Sequence, residues 1–70
     1  MNEYVTNEQK IVVEARLNNG YELLGVTRSM INGLDAYLIC KGKHTMCINS
    51  LGYCEHYTGA TWVIHKGAEK

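Results

Sequence analysis

The chain has no proline and no phenylalanine, neither sign of charge predominates, and no apolar run approaches the length that spans a bilayer. Seven basic and seven acidic side chains cancel, and neither sign is gathered into a block. A duplex-DNA binder needs a basic face that releases counterions, and a DNA mimic needs a strongly acidic one, so both classes are set aside. The opening Met1-Asn2-Glu3-Tyr4-Val5 shows neither the basic stretch nor the apolar run of a secretory leader. A cytoplasmic protein with no membrane partner is the expectation. The glycines are scattered singly, so no Gly-rich loop leads into a helix to cradle a phosphate.

Seventy residues leave room for one domain, 1–70, and one core. A core of that size rarely supplies more than about 3–5 kcal/mol, so added support from disulfides, a metal or self-association is to be looked for. The three cysteines, Cys40, Cys47 and Cys54, are an odd number and read as reduced thiols inside a sheet.

Thr6-Asn7-Glu8-Gln9 fits a capping box, in which Thr6 Oγ accepts from the Gln9 amide and the Gln9 side chain returns to the Thr6 backbone. Asn19-Gly20 supplies a helix stop, so a helix over 7–18 is predicted. Against it, Ile11, Val13, Ala15 and Leu17 alternate with Val12, Glu14 and Arg16, which is a strand period. An N-terminal hairpin turning at Asn19-Gly20 is the alternative. Beyond Gly20, glycines recur every seven to ten residues with β-prone runs between most of them, the punctuation of a meander. The runs are Tyr21 to Arg28, Asp35 to Lys41, His44 to Asn49, Tyr53 to Tyr57 and Ala60 to Lys66. The expected class is α+β: one N-terminal helix packed on a four- to five-stranded, mainly antiparallel sheet, with an all-β meander as the alternative.

Gly42-Lys43 suits a two-residue hairpin turn, and register follows by counting outward. Lys41 faces His44, Ile39 faces Met46, Leu38 faces Cys47 and Tyr37 faces Ile48. Leu38, Cys40 and Cys47 then share one side, and Tyr37, Ile39, Met46 and Ile48 the other. Both sides are apolar, whereas a helix of about twelve residues, roughly 18 Å long, covers only one. The side carrying Tyr37, Ile39, Met46 and Ile48 is therefore expected to meet a second copy or a protein partner, with Trp62 added as a partner-binding residue.

Cys40, His44, Cys47, Cys54 and His56 lie within seventeen positions, but no Cys-x-x-Cys knuckle occurs among them. A zinc-stabilised module stays as an alternative, while no metal and no cofactor are expected. Cysteines, histidines and Asp35 supply the residue types of nucleophilic catalysis, yet no turn fixes any combination, so no catalytic residue is assigned and the chain reads as no enzyme. The aromatics are five tyrosines and one tryptophan, rings with a polar handle that suit half-wet surfaces. They leave open a small-ligand or single-stranded nucleic-acid binder working from an aromatic sheet face, with Arg28, Lys41 and Lys43 as its cations. The first expectation is a small protein-binding regulator or inhibitor acting by surface occlusion, of the kind phages and other mobile elements encode, and a homo-oligomer or a bound partner.

Overall fold

A computed structural model describes residues 4–57 and 62–66, with side chains as far as His56. One helix, α1 (Asn7–Asn18), precedes β1 (Glu22–Arg28), β2 (Asp35–Lys41), β3 (His44–Ile48), β4 (Tyr53–Tyr57) and β5 (Trp62–Lys66). The strands form one sheet in sequence order, each antiparallel to the next. This is the α+β arrangement read from the sequence, and the N-terminal hairpin of the all-β alternative is replaced by α1.

Both ends of α1 explain why helix prevails over the alternating pattern. Thr6 Oγ caps the first turn by accepting from the Gln9 amide at 3.2 Å. The Gln9 side chain does not return to Thr6, however. Its Oε1 accepts from the Val5 amide at 2.8 Å, and its Nε2 donates to the carbonyls of Asp35 and Ile48, both at 3.0 Å. Gln9 is completely buried, and it ties the helix start to β2 and β3. At the other end the Tyr21 amide donates to the Arg16 carbonyl at 3.1 Å and the Gly20 amide to the Leu17 carbonyl at 3.2 Å. These are the paired bonds of a Schellman close. Between the ends α1 buries Gln9, Val12 and Val13, a helical spacing that leaves Ile11 on the outer side, 58% exposed.

The β2–β3 hairpin has the expected register in every pair: Lys41 with His44, Ile39 with Met46, Leu38 with Cys47 and Tyr37 with Ile48. Gly42 opens its turn at φ 61°, and among the described residues only glycines have positive φ, so Lys43 takes the ordinary negative φ that a two-residue turn with glycine first demands. β1 is an edge strand, and it carries a bulge between Leu23 and Gly25.

The core corrects one expectation. Val12 and Val13 of α1 pack with Tyr37, Ile39, Ile48 and Cys54, and Tyr4, Leu17, Tyr21 and Met46 lie against this cluster. Tyr37, Ile39 and Ile48 are at most 4% exposed. The face expected to await a second cover is therefore the floor beneath α1. An apolar pattern on both faces does not say which one a helix takes; the bonds from Gln9 to Asp35 and Ile48 do.

Candidate functional site

The other face of the sheet, the one carrying Cys47, also carries an ionisable group. Glu55 lies opposite Cys47 and is completely buried. Its Oε2 accepts from Ser29 Oγ and from Asn49 Nδ2, both at 2.5 Å, and its Oε1 accepts from the Met30 amide at 2.9 Å and from the Cys47 thiol at 3.9 Å. Burial pushes the carboxyl pKa up, but the bonds from Ser29, Met30, Asn49 and Cys47 outweigh it and hold it below the ordinary value. The carboxylate is thus charged near neutrality. The neighbouring Cys47 thiol is pushed up to about 12, first by burial and then by the charge of Glu55, so it stays protonated.

Through Glu55 the segment 29–34 is fixed to the sheet. Ser29 Oγ also accepts from the Ile31 amide at 3.0 Å, the Ser29 amide donates to the Leu34 carbonyl at 2.9 Å, and the Gly33 amide donates to the Ser29 carbonyl at 3.0 Å. Asn32 accepts from the Leu34 amide through Oδ1 at 3.0 Å and donates through Nδ2 to Ser50 Oγ at 3.1 Å. Arg28 closes the loop by donating to the Gly33 carbonyl at 3.2 Å. Asn49 orders the adjoining turn, its Oδ1 accepting from the Leu51 and Tyr53 amides at 2.9 and 3.0 Å.

This ordered loop is apolar on the outside. Nine large apolar side chains are exposed among the described residues, and six of them, Leu23, Leu24, Val26, Met30, Ile31 and Leu34, fall between positions 23 and 34. Leu51, a seventh, follows Ser50, the partner of Asn32. The edge strand and its adjoining loop thus carry most of the exposed apolar side chains, a flank in which Leu23 and Val26 stand on the α1 side of the sheet, paired with Ile39 and Tyr37, and Met30, Ile31 and Leu34 stand on the loop. Segregation of this kind is what marks an interaction surface, where singly scattered apolar residues need no explanation.

The sequence-derived candidates are distributed otherwise. Tyr37, Ile39 and Ile48 are in the core and Met46 is at its rim; Trp62 is placed by its backbone alone, opposite Tyr57, and its side chain lies outside the described residues. Cys40 and Cys47 share a face as expected, but Cys54 packs against α1 on the other, where Arg16 Nη2 donates to its sulfur at 3.5 Å. No group of three or more metal-ligating side chains forms among the described residues. Tyr4 and Tyr37 pack ring against ring at 4.7 Å beside the core, and Tyr21 lies beneath the cations of Arg16 and Lys41. Arg28 and Lys41 stand at opposite ends of the β1–β2 pair, so they do not line one groove. Glu55, Ser29 and Asn49 carry no motif that singles them out; the one local hint is a lone carboxylate at an inward-alternating position of a strand.

Fold and flank together define a small α+β scaffold, a helix on an antiparallel meander that displays an ordered apolar loop. No known protein family, curated protein or solved structure matches the chain. No helix among the described residues is long and apolar enough to cross a membrane.

Proposed function

We propose that the protein is a non-enzymatic protein-binding module, a regulator or inhibitor that occupies a partner's surface with β1 and the 29–34 loop. The observation that supports this reading is that three exposed apolar side chains, Met30, Ile31 and Leu34, sit on a loop whose backbone is already held by hydrogen bonds, next to three more on β1. A loop ordered before contact loses less conformational entropy on binding, so more of the apolar burial appears as affinity. Residues 29–34 contain no charged side chain, which favours an apolar groove on a protein over a phosphate backbone or an anionic membrane surface.

Site-specific photo-cross-linking tests the proposal. A photoreactive residue at Met30 should form one discrete adduct in the producing cell, and the same residue at Ile11, exposed on the far side of α1, should not. The adduct's partner, purified, should bind the wild-type protein and lose binding to Ile31→Lys. Equal adducts from both positions, or binding unaffected by Ile31→Lys, would remove the flank from the function.

A further inference from the structure

Among the described residues, three hydrogen bonds tie the 29–34 loop to the β3–β4 side of the molecule. Ser29 Oγ and the Met30 amide both donate to Glu55, and Asn32 Nδ2 donates to Ser50 Oγ. The loop's other described bonds run within it or to Arg28 at its own root. One carboxylate on β4 therefore accepts two of the three bonds described between this loop and the β3–β4 side of the molecule. It also accepts from Asn49, whose oxygen orders the 49–52 turn beside the loop tip.

We infer that Glu55 is a latch: it holds the 29–34 loop in its displayed shape, and losing its charge frees the loop locally while α1 and the β2–β3 hairpin stay folded. The hydrogen-bond inventory explains why charge matters. An ionised carboxylate offers acceptors only, and Ser29, Met30, Asn49 and Cys47 all present donors. A glutamine of the same shape has one acceptor oxygen and turns an NH₂ group toward the remaining donors. Ser29 also loses its fixed direction, since its hydroxyl donates to Glu55 while accepting from Ile31. The ladder pairing β2 to β3 and the bonds of Gln9 involve none of these atoms, so opening is confined to the loop.

The inference deepens the reading of the flank as a binding surface by naming what keeps it ready, and it is tested without any partner. Native-state amide exchange on Glu55→Gln should show the Met30, Ile31 and Gly33 amides exchanging about tenfold faster, with those of Val13 and Ile39 little changed. Ser29→Ala, which removes its tie to Glu55 together with the acceptor of the Ile31 amide and introduces no new donor, should speed the Met30 and Gly33 amides to a smaller degree and serves, read at those two, if Glu55→Gln does not fold. Uniform acceleration along the chain would show that Glu55 supports the whole fold and not the loop, and unchanged loop exchange in both variants would show that the loop holds itself; either result overturns the latch. Failure of the latch leaves the cross-linking test of the flank standing, and the reverse also holds.

Discussion

Glu55 is an acid buried without a cationic partner among its described donors, and its charge is held by neutral dipoles instead. Because its folded pKa lies below the unfolded value, the native state binds fewer protons than the unfolded one in the acid range. Its contribution to stability is complete above the unfolded carboxylate pKa of about 4.3 and is lost as pH falls through the lower folded value. Urea midpoints measured from pH 7 downward should therefore drop on the acid side of about pH 4.3, and Glu55→Gln, less stable at pH 7, should show a shallower drop there. Cys47 offers a second check at this scale. A thiol 1% exposed with its pKa pushed up to about 12 should resist alkylation in the native protein, while the partly exposed Cys40 reacts first.

Element by element, the helix depends on its ends more than on its middle. Removing the cap by Thr6→Ala should cost about 1 kcal/mol in urea unfolding, with some of the loss arising from the bond Thr6 Oγ donates to the Ser50 carbonyl. Gln9→Leu should cost more, because it leaves the buried carbonyls of Asp35 and Ile48 without their donor at about 1–3 kcal/mol per orphaned group. The 49–52 turn packs against α1 through Gly52, whose φ is 83° and whose absent Cβ would lie 3.3 Å from the Glu8 carbonyl oxygen. Gly42 also has positive φ but open space around it. Alanine at either should cost about 1–2 kcal/mol for the left-handed backbone, and Gly52→Ala should be the worse of the two because α1 must also give way.

For the molecule as a whole, the two apolar regions should answer differently to a charge. Ile39→Lys and Ile48→Lys place an ammonium under α1 and should abolish cooperative unfolding by circular dichroism. Val26→Lys and Ile31→Lys fall on the exposed flank and should shift stability by no more than about 0.5 kcal/mol. Cooperative, native-like unfolding of Ile39→Lys would mean that α1 does not close over that face. Since the chain is neutral overall and the loop uncharged, association through the flank should be nearly independent of salt, with on-rates near the unsteered range of about 10⁵–10⁶ M⁻¹s⁻¹.

What the sequence by itself determined is whatever rests on neighbours in the chain. The Thr6 cap, the stop at Asn19-Gly20, the Gly42-Lys43 turn and the hairpin register all arise from contacts within a few residues, and the structure has each of them. The Gln9 side chain was legible as a capping group but not as a clamp, because its carbonyl partners lie 26 and 39 positions away. Only the tertiary structure decided which apolar face α1 covers, since Tyr37, Ile39, Met46 and Ile48 form a pattern as apolar as that of Leu38, Cys40 and Cys47. It alone decided, too, that Glu55 meets Ser29 and Met30 across 26 and 25 positions, because a carboxylate in a strand has no local signature for the donors that fold over it. The apolar flank emerged for the same reason: exposure is what remains after distant segments have packed, and no window of sequence contains it.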